Sequence, residues 1–188
     1  MSPKRVLIVK TSPRKRGNST LLAEQVAAGA RAAGAEVDSI TVQGMDIQPC
    51  TACEACKDTE EGDCILDDDM QALYPKIRQA DVIVVATPVY FFTMSAQAKL
   101  FIDRCYALIQ TARGNLLTGK KFAFVLAYGD TDLFTSGGIN AIRAFQDMCR
   151  YLEAEVVGFV YGTASEEGEI QSQSDLLEEA YRLGQKLG

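Results

Sequence analysis

Val6-Leu7-Ile8-Val9, then Lys10-Thr11-Ser12-Pro13-Arg14-Lys15-Arg16-Gly17, then Asn18-Ser19-Thr20-Leu21-Leu22-Ala23: this stretch decides the architecture. Four consecutive apolar residues are the pattern of a strand buried on both faces, as in a parallel sheet. A polar turn containing Gly17 follows, and residues 19–33, rich in Leu and Ala, read as a helix. Asn18 and Ser19 are good helix-starting residues and Gly34 a good stop. Strand, loop and helix therefore follow one another within thirty residues.

The unit repeats along the chain. Residues 35–42 alternate apolar and polar, as a strand nearer an edge does, and residues 44–66 are irregular. Asp67-Asp68-Asp69 opens a helix to about Arg78, with carboxylates at the positive end of its dipole. Val82-Ile83-Val84-Val85-Ala86 is a second buried strand; helices are expected at 95–109, 137–152 and 174–187, and strands at 121–127 and 156–161. Five alternations of this kind build right-handed crossovers and a parallel sheet covered by helices on both faces. The expectation is a flavodoxin-like α/β three-layer sandwich, five parallel strands in the order 2-1-3-4-5. Residues 1–188 are expected to form one domain, with a cysteine-rich loop at 49–66.

Composition narrows the function classes. The chain is 47% hydrophobic and 23% charged, which is ordinary for a globular protein. A net charge of −6 disfavours nucleic-acid binding, which needs a basic footprint. Without any histidine, acid/base catalysis by imidazole and histidine metal sites are excluded. The uncharged stretch 82–98 contains Pro88 and polar residues and is a poor membrane span, and residues 1–9 do not resemble a signal peptide. A cytoplasmic chain is expected, in which six cysteines serve as ligands or free thiols rather than disulfides.

Two turns carry candidate binding chemistry. In open α/β sheets ligands sit beyond the carboxyl ends of the strands, and a helix start presents free N–H groups and partial positive charge to an anion. Ser12, Ser19 and Thr20 add hydroxyls, Asn18 an amide and Arg14 a charge, while Gly17 allows a close turn. Neither G-x-x-x-x-G-K-[ST] nor G-x-G-x-x-G occurs, so a terminal phosphate fits this turn better than a pyrophosphate. The second turn, Thr87-Pro88-Val89-Tyr90-Phe91-Phe92, is apolar and aromatic. Pro88, Val89, Tyr90 and Phe91 suit the faces and edges of a flat ring such as a flavin, whereas Phe92 is expected in the core.

The S-x-R-x-x-G-N-[ST] turn at 12–19, Thr87-Pro88-Val89-Tyr90 and the helix Lys99-x-Phe101-x-Asp103-Arg104 stand in an order that resembles the NADPH-dependent FMN reductase and iron–sulfur flavoprotein family. The resemblance covers nearly the whole chain. It implies FMN, with its phosphate in the first turn, its ring beside the second, and Tyr128-Gly129-Asp130 on the other side. It also implies a homodimer or homotetramer, NAD(P)H or a ferredoxin as electron donor, and packing or interface roles for Lys99, Asp103 and Arg104. No separate nicotinamide-binding motif is present.

Cys50-x2-Cys53-x2-Cys56-x7-Cys64 gathers four thiols within a short segment. This spacing suits a [4Fe–4S] cluster. Two alternatives stay open: structural zinc, which more often uses two separated pairs, and metal-free or redox-active thiols. Because the segment follows the second strand, it is expected at the same sheet edge as the two turns. Cys105 and Cys149 read as small buried residues. The favoured function is an FMN-dependent oxidoreductase or electron carrier coupling a cluster to flavin; the alternatives are a clusterless NAD(P)H-dependent FMN or quinone reductase and a flavin-free zinc or thiol sensor.

Overall fold

Strand β1, Arg5–Lys10, is an inner strand of the parallel sheet in the computed structural model, which describes residues 2–188. It pairs in parallel with β2, Glu36–Thr41, on one side and β3, Val82–Tyr90, on the other. Next to β3 come β5, Lys121–Tyr128, and β6, Glu155–Thr163, so the path reads β2-β1-β3-β5-β6. That is the flavodoxin-like order for the five long strands. A sixth strand, β4, is only Thr93–Met94 and pairs antiparallel with the end of β3.

The apolar run of β1 is divided between two cores by the two-residue period of a strand. Leu7 and Val9 enter a bulky core with Ile83, Val85, Phe122, Phe124, Phe145 and Phe159, under helices α2 (Met70–Gln79), α3 (Ala96–Arg104) and α4 (Gly138–Tyr151). Val6 and Ile8 enter the opposite core with Val84, Ala123, Val125, Ala23, Ala27 and Ala180, under α1 (Asn18–Ala32) and α5 (Ser174–Gln185). Small residues on that second face let α1 and α5 touch backbone to backbone. A Cβ on Gly29 would lie 2.0 Å from the Tyr181 carbonyl oxygen, and one on Gly184 2.0 Å from that of Val26.

Several boundaries differ from expectation. Strand β3 does not stop at Ala86 but continues through Pro88 to Tyr90. The last β1–β3 pair is Lys10 with Ala86, so by Pro88 the neighbour on that side has ended and the missing N–H leaves no gap in the ladder. The expected loop is therefore a strand end plus a hairpin. Helix α3 stops at Arg104 and tightens into a 3-10 turn, Cys105–Leu108. Helix α2 begins at Met70, because Asp68 and Asp69 use their carboxylates on the N–H groups of Met70, Gln48 and Asp46.

Gly29→Ala forces two helix backbones apart and should cost about 1–3 kcal/mol, as overpacking of a close contact does. Urea unfolding followed by far-UV dichroism checks this; a midpoint equal to wild type would refute the contact.

Candidate functional site

Three buried hydroxyls join the two turns. Thr11, just past β1, donates its N–H and its Oγ1 hydroxyl to the Ala86 carbonyl at 2.9 and 2.8 Å. Ser95 donates from Oγ to the Thr11 carbonyl at 3.1 Å and accepts the Ala98 N–H as the cap of α3. Thr87 Oγ1 accepts the Ser95 N–H at 3.0 Å. All three side chains are fully buried. The turns after β1 and β3 are thus held at a set distance.

Between them lies an open cleft of about 250 Å³. Ser12, Arg14, Gly17 and Asn18 line it from the first turn, Pro88, Val89 and Tyr90 from the second, and Ala127, Tyr128 and Gly129 from the end of β5. Larger openings exist elsewhere. One of about 400 Å³ lies at the amino ends of β1 and β2, and one of about 370 Å³ lies beside the cysteine segment.

The first turn is shaped for an anion. Leu21 N–H is the first in α1 to bond back, to Gly17, so the amides of Asn18, Ser19 and Thr20 have no partner within the helix. Ser19 Oγ is buried with no hydrogen-bond partner. At Gly17 a Cβ would stand 2.1 Å from Ser12 Oγ and fill the cradle. Asn18 is used differently from a simple donor. Its Nδ2 group donates to the carbonyls of Ala164 and Glu166, and its Oδ1 accepts the Ile170 N–H.

These bonds draw in a segment that sequence reasoning missed. Ala164 and Ser165, after β6, line the cleft, and Arg14 Nη1 donates to the Ser165 carbonyl at 2.7 Å. Glu169 accepts the N–H groups of Ser165 and Glu166, and Glu167 accepts that of Arg16. A run with three carboxylates from 164 to 169 offers no sign, in sequence, of a place beside an anion cradle. Only the fold assigns its acids to amides.

The aromatic turn is a two-residue hairpin in which Phe91 and Phe92 both take positive φ, +49° and +69°. Bulky residues adopt this conformation at a cost of about 1–2 kcal/mol each. It is braced from α4: Asn140 Nδ2 donates to the Phe92 carbonyl, and Gly137 packs where a Cβ would be 2.5 Å from Phe92 Cα. Phe92 is therefore not a core residue; it is 59% exposed, and Phe91 is 96% exposed. Phe91 does not line the cleft. Asp130 is exposed and accepts the Thr131 N–H outside the cleft.

The four cysteines line a second, smaller pocket of about 20 Å³ together with Arg104 and Tyr106. Among the described residues no three such ligands converge on a single ion. Ala52 and Glu54 hold positive φ, +52° and +61°, on either side of Cys53. The Ala55 N–H, with help from the Thr51 hydroxyl, holds the Cys53 thiol below its usual pKa, while burial pushes Cys56 up. Burial also pushes Cys105 and Cys149 up to about 12, and all six cysteines are free.

This pocket does not sit at the sheet edge with the cleft, as its place after β2 suggested. Glu61 and Asp63 reach Arg78 near the end of α2, Thr59 accepts the Ala112 N–H, and Cys64 shares its pocket with the carboxyl-terminal end of α3. Both helices run away from the cleft edge, so the cysteine segment descends along the face of the sandwich. Arg104, expected to serve packing, forms a buried ion pair with Asp68.

Fold and cleft together place the molecule in the flavodoxin-like class, which binds ligands at the carboxyl ends of its parallel strands. Residues 4–168 match the model of the NADPH-dependent FMN reductase family, and the chain belongs to that family of FMN-dependent oxidoreductases. It is 36% identical over 150 residues to an iron–sulfur flavoprotein of Methanosarcina thermophila, covering 80% of this chain and 75% of that one. A putative NAD(P)H-dependent FMN-containing oxidoreductase of Bacillus subtilis is 28% identical over 182 residues, 95% and 96% of the two chains. An NAD(P)H:quinone oxidoreductase structure from Methanothermobacter marburgensis superposes with a TM-score of 0.76 at 18% identity, covering 99% and 98%. The matches span 51% to 75% of the length of the first iron–sulfur flavoproteins compared. No helix among the described residues is long and apolar enough to cross a membrane.

Burial raises the pKa of Asp68, but Arg104 and the Gln48 and Met70 amides outweigh it and leave the carboxyl below its ordinary 3.8. A depressed carboxyl contributes stability above its unfolded pKa and loses it as pH falls through the folded value. Wild type should therefore lose stability below about pH 3.8 more steeply than Asp68→Asn, compared by urea titrations at pH 6 and pH 3.

Proposed function

We propose that the cleft binds FMN, its phosphate in the turn 12–20 and its ring against 88–90 and 127–129, and that the chain passes electrons from NAD(P)H or a ferredoxin-type donor to an acceptor. The observation that carries this reading is the common cleft lined by four segments, the first of which offers three unpartnered amides and the orphaned Ser19 hydroxyl. FMN, when bound, supplies hydride or single-electron chemistry.

The chain's own residues position and select. The amides of 18–20 and Ser19 Oγ hold a dianion at the positive end of α1, and Arg14 adds charge at the rim. Tyr90 and Pro88 give the ring an apolar wall. Backbone groups of 89 and 129 meet its polar edge. The cleft remains open on one side, which gives a second planar molecule access to the ring. No side-chain proton donor is required of a chain without histidine.

The four cysteines belong to the same proposal as the holders of a [4Fe–4S] cluster. They share one pocket, and the Ala55 N–H lowers the Cys53 thiol pKa from its ordinary value. Relatives named iron–sulfur flavoproteins point the same way. Anaerobic purification with a count of iron, acid-labile sulfide and flavin tests both cofactors. FMN equimolar with chain, and iron matched by sulfide, is the expected result. FMN without iron would leave a clusterless reductase, and zinc in colourless protein would sink the proposal.

Gly17→Ala places a methyl group in the cradle and should weaken FMN binding at least about tenfold, some 1.4 kcal/mol. Quenching of flavin fluorescence on titration measures it; wild-type affinity in the variant would remove the phosphate from this turn.

A further inference from the structure

Arg104 ends α3 with its side chain turned inward, 1% exposed. Its two terminal nitrogens are occupied. Both reach the Asp68 carboxylate, and Nη1 also donates to the Gln48 carbonyl at 2.8 Å. The Nε–H has no acceptor although it is fully buried. An unmet buried donor costs about 1–3 kcal/mol, and native proteins leave few of them.

The side chain forms part of the wall of the pocket that Cys50, Cys53, Cys56 and Cys64 line. Cys64 lines the same pocket as the guanidinium, and behind it buried Tyr74 donates its hydroxyl to the Arg104 carbonyl at 3.3 Å. A purely structural ion pair would pin residues 48 and 68 to α3 through the two Nη groups. It gives no use for Nε.

We propose that Arg104 is a positioning residue for the four-cysteine site, its Nε–H donating to the sulfur of Cys64 once that sulfur is a thiolate ligand. This rests on the reading that the cysteines hold a [4Fe–4S] cluster. Asp68 neutralises the guanidinium overall, so what the site receives is a directed N–H. Hydrogen bonds to ligand sulfur favour the electron-rich, reduced cluster and raise its potential.

The test is a dithionite titration of anaerobically reconstituted protein, with the reduced cluster followed by electron paramagnetic resonance. Arg104→Lys keeps a cation for Asp68 and removes Nε–H. It should disfavour reduction about tenfold, about 59 mV for a one-electron couple, with FMN content and flavin potential unchanged. Loss of iron from Arg104→Lys protein that retains FMN and wild-type dichroism supports the proposal too. Equal cluster potentials in the two proteins overturn it and leave the cluster reading standing. Wild-type protein that binds FMN but takes up no iron or sulfide overturns both. Should Arg104→Lys fail to fold, the double variant Arg104→Gln, Asp68→Asn replaces the ion pair with a neutral one; the same downward shift is expected, and an unshifted potential overturns the proposal.

Discussion

The hydroxyls of Thr11, Thr87 and Ser95 form the contact on which the cleft depends. Each is buried, and together they bond the carbonyl of Ala86, the carbonyl of Thr11 and the N–H groups of Ser95 and Ala98. Buried polar groups of this kind are costly when unpaired and strong when paired, because little water competes with them. The network therefore admits one relative placement of the turns after β1 and β3. An anion cradle and an aromatic wall face each other because the strands that deliver them are bonded together at that level.

Around this fixed pair the protein places strain and closure. The hairpin at Phe91–Phe92 stays in its left-handed conformation because Gly137 and Asn140 of the neighbouring helix hold its backbone from outside the cleft. On the other flank, Asn18 spends both ends of its amide on the segment 164–170. Two acids of that segment, Glu167 and Glu169, are turned onto backbone amides. An acidic run thereby contributes Ala164 and Ser165 to the wall of the cleft.

The cysteine pocket follows another logic. Its segment leaves the end of β2 but is drawn down the face of the sandwich by Arg78 and by the Arg104–Asp68 pair. Cleft and cysteine pocket share no lining residue. Arg104 is the point at which packing and chemistry meet, since the same side chain anchors residues 48 and 68 and borders the thiols.

What could be read in advance was what neighbours along the chain determine. The apolar run at 6–9, the turn with Gly17 and the helix after it are local patterns, and the five alternations they begin leave few sheet topologies. The close turn at Gly17 was legible for the same reason, whereas the place of 127–129 opposite 88–90 was implied only by the family resemblance. Tertiary contacts decided the rest. The inward turn of Arg104 depends on Asp68, thirty-six residues away, and the outward hairpin at Phe92 is held by Asn140, forty-eight residues away. The enclosure by 164–170 depends on a side chain nearly one hundred and fifty positions earlier. In each case hydrogen-bond partners distant in sequence chose among conformations that the local residues alone left equally open.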